Sequence, residues 1–261
     1  MNIIVCIKQV PDTTQVKIDP ETNTLIREGV ESIINPFDTY AIEEAVRLKE
    51  RFGGKATAVT MGPPQAEAAL REAIALGCDD GILVSDRAFA GSDTLATGYT
   101  LASAIKRIAD YDLIICGKQA SDGDTAQVGP GIATQLDIPQ ITYVKKIEKV
   151  DEKTMVCERM TEEGFEIIQS SLPCLITVVK EINEPRLPSL KGKMRSKKAE
   201  ITSWTVPELD IDDEAQLGLN GSPTWVSKIF TPPPRPKGEM FEGDPEEAAN
   251  KLVDLLKDRL S

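Results

Sequence analysis

Histidine is absent from the 261-residue sequence. Its absence excludes Ser-His-Asp and Cys-His nucleophilic schemes and removes the usual zinc sites. Cysteine is also sparse: the five cysteines form no CxxC pair, and we expect them to be buried, reduced thiols. With these classes of site excluded, a bound cofactor or a partner has to supply the function.

Cations and long apolar runs are likewise scarce. The 30 lysines and arginines stand against 42 acidic residues, and the net charge of −12 argues against nucleic acid or an anionic membrane as the main partner. No apolar run approaches the length of a membrane span, and the first stretch, MNIIVCIKQV, lacks the basic region of a signal peptide. We therefore expect a cytoplasmic protein without membrane insertion.

Short apolar runs alternate with helical patterns over the first half of the chain. The patterns predict strands at 3–7, 56–60, 82–84 and 113–116 and helices at 38–52, 64–76 and 93–109, with Asp38 as a candidate N-cap. This alternation predicts an α/β fold with a mainly parallel sheet flanked by helices. Ligands of such folds bind at the carboxyl ends of the strands.

After about residue 140, the alternation of predicted strands and helices gives way to consecutive strands. Strands are predicted at 141–150, 154–160, 166–170 and 175–179, and the tight turns between the first three indicate an antiparallel extension. From residue 183 the chain is rich in proline, glycine and charge, and it closes with an amphipathic helix at 245–260. A long arm of this kind is costly in chain entropy unless it docks, so we expect residues 183–261 to contact a second subunit.

The segment GKQASDGDTAQVGPG, residues 117–131, carries four glycines directly after a predicted strand. It has neither a Walker lysine-serine pair nor the dinucleotide GxGxxG pattern. A glycine-rich loop that enters a helix, here near Thr125 or Ala126, offers backbone N–H groups and the helix dipole to an anion. The pattern leaves two alternatives open: a phosphate site or an ordinary turn between strand and helix.

The side chains of this loop allow both outcomes. Ser121, Thr125 and Gln127 could donate hydrogen bonds to a ligand. Asp122 and Asp124 oppose a bare phosphate, but they could cap the helix or bind ribose hydroxyls. Glycines in the loop are expected to let a phosphate approach the backbone.

A second candidate is INPFDTY, residues 34–40, a rigid turn at the start of the first helix. Pro36 restricts Asn35 to extended geometry, which leaves the Asn35 amide free to read a base or a ribose. The alternative is that Asn-Pro only starts the helix. Met61 ends the neighbouring strand. We expect the strand ends after residues 7, 60 and 116 to lie side by side, where one nucleotide could touch all three.

The run KGKMRSKKA, residues 191–199, contains five cations. We expect a solvated loop there; the alternatives are a phosphate site and a surface that steers an acidic partner.

Taken together, these segments resemble the beta subunit of electron transfer flavoproteins over nearly the whole chain. The matching pieces are KQVPDT, INPFDTYAIEEAVRLKE, TMGPPQAEAALREAIALGCD, the loop at 117–131 and NEPRLPSLKGKMRSKK. The family's diagnostic stretch corresponds to Arg159, Glu162, Glu163, Gly164, Glu166, Ile168, Pro173, Leu175, Ile176 and Thr177. Cys157 departs from the pattern, because a small or aliphatic residue is usual two positions before the arginine.

The resemblance implies an adenine-nucleotide-binding, universal-stress-protein-like fold over 1–182, paired through the arm 183–261 with an alpha subunit that carries FAD. It also implies cofactor contacts at Cys6, Asp12, Thr13, Asn35, Pro36, Phe37, Asp38, Met61, Gln119, Ala120, Ser121, Asp122, Gly123, Asp124, Thr125, Ala126, Gln127 and Gly129. The family's recognition loop corresponds to 185–195, with Leu190 at the position of the apolar anchor for an acyl-CoA dehydrogenase.

Beta subunits bind AMP in the common type and a second FAD in the electron-bifurcating type. The segment from Val10 to Thr13 resembles bifurcating members, which favours FAD. Such a pair would oxidise NADH, a transient substrate, and send one electron to ferredoxin or flavodoxin and one through the alpha-subunit FAD to an acyl-CoA dehydrogenase. The alternatives are a non-bifurcating subunit with structural AMP and a universal-stress-type ATP-binding protein.

Overall fold

The computed structural model describes residues 1–12, 17–18, 25–26, 32–225, 227, 238, 240–241 and 243–260. They fall into two compact units, Met1–Ser227 and Lys228–Ser261. The predicted division at residues 182 and 183 does not coincide with the boundary between these units.

The first unit contains all of the described strands. They are β1 (Asn2–Cys6), β2 (Gln9–Pro11), β3 (Lys17–Ile18), β4 (Leu25–Ile26), β5 (Ser32–Ile34), β6 (Lys55–Met61), β7 (Asp80–Val84), β8 (Leu113–Gly117), β9 (Gln140–Val150), β10 (Thr154–Met160), β11 (Phe165–Ser171), β12 (Cys174–Val178) and β13 (Thr202–Trp204). The helices are α1 (Pro36–Phe52), α2 (Glu67–Leu76), α3 (Thr94–Ile108), α4 (Val128–Leu136) and α5 (Leu190–Lys198), with α6 (Pro245–Leu260) in the second unit.

Nine strands form one sheet in the order β11-β10-β9-β12-β8-β1-β6-β7-β13. Along this spatial order, every pair of neighbouring strands from β9 to β13 is parallel. At the other end of the sheet, β9, β10 and β11 form an antiparallel meander. The predicted fold class, a mainly parallel sheet flanked by helices with an antiparallel extension, is confirmed. Two short ribbons, β2–β5 and β3–β4, stand apart from this sheet.

Successive residues of β1 point to opposite faces of the sheet, as the pleat requires. Ile3 and Val5 pack in one apolar cluster with residues of α1 and α2, and Ile4 and Cys6 pack in a second with α3 and α4. Both faces of the central strands are therefore covered, which accounts for their continuous apolar runs. All five cysteines are free and buried, as expected.

Three local predictions are wrong. Asp38 is not the N-cap of α1; Asn35 occupies that position and the Asp38 side chain is buried. The helix after the glycine-rich loop begins at Val128, later than Thr125 or Ala126. The basic run 191–199 is not a loop, because Ser189 caps a helix there by accepting a hydrogen bond from the Gly192 N–H.

The arm after residue 183 contributes to the first unit. Strand β13 extends the sheet by pairing with β7, and α5 packs against α2. The Arg71 guanidinium of α2 donates to the carbonyls of Ser196 and Ala199 at 2.7 and 3.2 Å. None of the described helices is both long enough and apolar enough to cross a membrane.

Candidate functional site

The carboxyl ends of β6, β1 and β8 lie side by side, as predicted, because these strands are consecutive neighbours in the sheet. Cys6 and Cys116 are register partners at the ends of β1 and β8. The hydrogen bond between their side chains, together with burial, raises the pKa of the Cys116 thiol well above its usual value. Both side chains are buried in the apolar cluster that includes α3 and α4, and Met61 ends the neighbouring strand β6.

Asn35 ties the glycine-rich loop to the start of α1. Its side-chain Nδ2 donates to the Gln119 carbonyl at 2.8 Å and to the Asp38 carboxylate at 3.0 Å, and its Oδ1 accepts from the Ser121 N–H at 2.9 Å. The Asn35 residue is 1% exposed. The prediction that this amide is free to read a base or a ribose is therefore wrong, since both of its N–H groups serve the protein.

The Asp38 carboxylate contacts the backbone at the ends of two of these strands, after β1 and at the end of β8. Its carboxylate accepts from the Lys8 N–H at 2.7 Å as well as from Asn35, and the Gly117 backbone adds a further hydrogen bond. Burial raises the pKa of Asp38 to about 7, against these three hydrogen bonds, which favour the charged form. An added Cβ at Gly117 would lie 2.3 Å from Asp38 Oδ1, so only glycine fits there.

The glycine-rich loop has an unusual backbone. Asp124 and Ala126 adopt positive φ angles of 52° and 55°, which non-glycine residues rarely do. The Gln119 side chain donates a hydrogen bond to the Asp124 carboxylate and braces the turn. Backbone strain of this kind is found at ligand-binding loops, where the surrounding structure enforces it.

The start of α4 is open to an anion. Among the described residues, no side chain caps its first turn, and the N-cap residue Gln127 is exposed. Backbone N–H groups of an uncapped helix start carry partial positive charge and need an acceptor. An added Cβ at Gly123 would meet no described atom within 4 Å, so the loop faces open space at that point. This geometry fits a phosphate group.

Gly129 has a packing role that the sequence did not indicate. An added Cβ there would lie 2.7 Å from Thr177 Cγ2 and 3.4 Å from Leu175 Cδ2. The missing side chain thus lets α4 pack closely on β12. Contact between the Gly129 backbone and a phosphate stays a prediction.

Two lysines at the strand ends were missed by the sequence analysis. Lys8 Nζ pairs with both carboxylate oxygens of Asp122, at 2.6 and 2.8 Å. Lys118 Nζ lies 5.1 Å from the ring centroid of Tyr143 and 6.0 Å from that of Phe37. They lie in the segments KQVPDT and GKQA, and no local pattern connects either lysine to its contact.

A cavity of about 390 Å³ opens beside the loop, lined by Ala126, Gln127, Pro130, Gln140, Ile141, Thr142, Tyr143, Arg159 and Ile168. Its wall is a bulge in β9, where Tyr143 has a φ of 60° and donates its N–H to Thr177 Oγ1 at 3.0 Å. Arg159, from the diagnostic stretch, donates to the Thr142 carbonyl and hydroxyl, both at 3.0 Å. The diagnostic arginine therefore supports the wall of a cavity next to the loop.

The remaining predicted residues are distributed differently. Asp12 is buried just after β2, and Thr13 lies outside the described residues. Leu190 begins α5 and is 78% exposed. Gly192 lies against Ala75 at the end of α2 that points away from the loop, so Leu190 is not part of the strand-end site.

The segment that leads to Leu190 is firmly attached to α1. The Arg186 guanidinium pairs with Glu43 at 2.7 Å and with Glu50 at 2.6 Å, and Asn183 Nδ2 donates to the Tyr40 carbonyl and to Glu44 at 3.0 Å. The hydrogen bonds from Arg186 and Arg47 hold the pKa of Glu43 below its usual value, although burial opposes this shift. These contacts fix the base from which Leu190 projects.

The electron transfer flavoprotein domain matches residues 22–209, which include the glycine-rich loop, Asn35 and the diagnostic stretch. The chain belongs to the electron transfer flavoprotein family. The resemblance noted in the sequence is thereby confirmed.

Several relatives match over almost their full lengths. The electron transfer flavoprotein subunit beta of Thermoanaerobacterium thermosaccharolyticum is 54% identical over 260 residues, which cover 99% of each chain. Protein FixA of Azotobacter vinelandii is 51% identical over 265 residues, covering 98% of this chain and 94% of its own. The caffeyl-CoA reductase-Etf complex subunit CarD of Acetobacterium woodii is 49% identical over 261 residues, covering 99% of each chain. This membership supports an electron-transfer function with a flavin or nucleotide cofactor.

Proposed function

We propose that this chain is the beta subunit of an electron transfer flavoprotein and binds the FAD of an electron-bifurcating pair at its glycine-rich loop. The observation that carries the proposal is the fixed, uncapped entry into α4, held by Asn35 through its hydrogen bonds to Gln119 and Ser121. A helix start of this kind binds phosphate through backbone N–H groups.

Different parts of the site would hold different parts of the nucleotide. The exposed backbone from Ser121 to Gln127 would hold the phosphates, and the strand ends at Cys6 and Met61 would face the nucleoside. The predicted contacts at Pro36, Phe37, Ala120 and Thr125 lie on the same two segments, residues 34–40 and 117–131. A flavin, when bound, supplies the hydride and single-electron chemistry, so the protein has to position it and to control access of water.

FAD is preferred over AMP because the segment from Val10 to Thr13 resembles that of bifurcating members. Strand β2 and the buried Asp12 follow directly after Lys8, at the edge of the strand-end site. The corresponding region of bifurcating members borders the flavin of the beta subunit. In that mode NADH is the electron donor, ferredoxin or flavodoxin accepts one electron, and the alpha-subunit FAD passes the other to an acyl-CoA dehydrogenase.

Two surfaces are available for the protein partners. Helix α6 exposes Leu252, Val253 and Leu256, each close to half exposed, and would dock on the alpha subunit. The exposed Leu190 on α5, close to the cations of residues 191–198, would dock on the acyl-CoA dehydrogenase. Met194, one turn further along α5, is also exposed and extends that apolar surface.

Purification of the chain with its alpha subunit tests the proposal. The heterodimer is denatured, its nucleotides are identified by mass spectrometry, and its flavin content is measured from absorbance. Two FAD molecules per heterodimer support the bifurcating assignment, whereas one FAD and one AMP support the structural-AMP alternative. A stable homodimer that turns over ATP would instead indicate a universal-stress-type protein. A heterodimer with no nucleotide in the beta chain would overturn the proposed site.

A further inference from the structure

The glycine-rich loop carries two aspartates, whose negative charges oppose the binding of a phosphate. Asp122 and Asp124 lie next to the exposed backbone that would meet the nucleotide phosphates, and the loop's only cation is Lys118. The carboxylates and the phosphates carry like charges and would repel each other, and salt would screen part of this repulsion at the exposed loop. Anion binding here therefore requires that at least one carboxylate be neutralised.

Lys8 meets this requirement for Asp122. Its Nζ contacts both carboxylate oxygens at 2.6 and 2.8 Å, although the two residues are 114 positions apart. Asp124 is engaged differently, because the neutral side-chain amide of Gln119 donates to it. Of the two loop carboxylates, Asp122 is the one whose charge is directly compensated by a lysine.

The backbone of Lys8 is held independently of this ion pair. Its N–H donates to the buried Asp38, and its carbonyl accepts from the Asn35 N–H at 2.8 Å. The lysine stem therefore starts from a rigid strand end. A change at the Lys8 ammonium alters the charge beside the loop and leaves the backbone network in place.

We propose that Lys8 is the positioning residue that makes the loop accept a polyanion, by neutralising Asp122 without itself binding the phosphates. This inference rests on the proposed nucleotide site and adds the residue that decides its electrostatics. Its consequence is that Lys8 is needed only while Asp122 is charged.

A double-mutant cycle in the alpha-beta heterodimer tests this idea. Lys8→Met, Asp122→Asn and the double variant are stripped of nucleotide and titrated with FAD and, separately, with AMP. We expect Lys8→Met to weaken binding roughly three- to tenfold at low salt, from one uncompensated charge near the phosphates. Asp122→Asn should bind at least as tightly as the wild type. The double variant should recover most of the loss.

The matched control is Lys118→Met, which makes the same change in net charge at the same end of the sheet. Lys118 contacts the rings of Phe37 and Tyr143 instead of Asp122. Asp122→Asn should therefore rescue the Lys8 variant more than the Lys118 variant. The loss in Lys8→Met should also shrink at 0.5 M salt, which a purely structural defect would not do.

Three other patterns overturn the proposal. If both single variants weaken binding and the double variant is no better, the ion pair is a mechanical latch. If Lys8→Met stays weak after Asp122→Asn is added, Lys8 binds the phosphate directly. Equal binding by Lys8→Met and the wild type also rejects the role of Lys8 and leaves the site intact. A wild-type heterodimer that binds neither FAD nor AMP contradicts the proposed function itself.

Discussion

The carboxamide oxygen of Asn35 accepts a hydrogen bond from the Ser121 backbone N–H at 2.9 Å, across 86 positions of sequence. The same side chain holds the Gln119 carbonyl at 2.8 Å. One buried amide thus satisfies a donor and an acceptor of the glycine-rich loop, and it does so from the first residue before α1. This side chain thus adds a long-range support to the local turn, in which the Gly123 and Asp124 N–H groups donate to the Ala120 carbonyl.

Removal of this side chain should loosen the loop. Asn35→Ala leaves the Gln119 carbonyl and the Ser121 N–H without their partner, at a cost of about 1–3 kcal/mol for each buried group that water does not reach. We expect faster hydrogen exchange in residues 117–127 and lower nucleotide content of the heterodimer. Thr39→Ala is the control, since Thr39 donates only to the nearby Pro36 carbonyl. Unchanged exchange in Asn35→Ala would contradict the assigned role.

Two glycines of the loop should respond in opposite ways. Gly123→Val adds bulk in open space, so the free energy of unfolding should change little while nucleotide binding falls. Gly129→Val places its side chain against Thr177 and should destabilise the fold by roughly 1–3 kcal/mol through overpacking. Thermal unfolding and nucleotide content are measured on both variants. Full occupancy in a folded Gly123→Val protein would argue against the phosphate site.

Asp38 should make the protein less stable as the pH rises. Burial raises its folded-state pKa to about 7 from the usual 3.8 of an aspartate, so the folded state retains a proton that the unfolded state has lost. Its contribution is largest below about pH 4 and is lost between about pH 4 and pH 7, by at most ~1.4 kcal/mol per pH unit. Denaturant unfolding across this range is compared with Asp38→Asn, in which this slope should vanish. Parallel pH profiles for the two proteins would show that Asp38 titrates normally.

Leu190 should act as an anchor for the acyl-CoA dehydrogenase. Burial of a leucine side chain in a partner stabilises a complex by ~1.5–3 kcal/mol, so Leu190→Ala should weaken docking roughly ten- to a hundredfold. Reduction of the bound flavin by NADH should be unaffected, because Leu190 lies outside the strand-end site. Leu187→Ala is the matched control, as an apolar side chain exposed even more fully. Equal loss in both variants, or loss of NADH reduction, would count against a specific anchor.

Helix α6 should clamp the alpha subunit. A chain that ends before Asp244 lacks this helix, whose exposed leucines and valine would otherwise be covered by the partner. We expect weaker association in sedimentation experiments, with the first compact unit still folded by circular dichroism. Leu252→Ser and Lys251→Ser form a matched pair within the helix, and only the first should reduce association. Association that is unchanged by truncation would exclude the clamp.

The sequence by itself determined the architecture and the edge of the sheet at which the candidate site lies. The apolar runs of β1, β6 and β8 alternate with helical patterns, and parallel strands joined in this way place their carboxyl ends on one edge. Glycines in residues 117–131 marked the loop at that edge, and the family motifs identified its relatives. These signals are readable because burial periodicity and turn chemistry are encoded locally.

Only the tertiary structure decided which polar groups meet. Asn35 and Ser121, or Lys8 and Asp122, are distant in sequence, and no periodicity records that a particular amide or ammonium reaches a particular loop. For the same reason, the sequence could not show that the missing side chain of Gly129 lets α4 pack on β12. Nor could the sequence predict strand β13, because its pairing with β7 depends on the path of the whole chain. Local pattern sets where a chain is buried, whereas charge pairing and close packing depend on which distant segments the fold brings together.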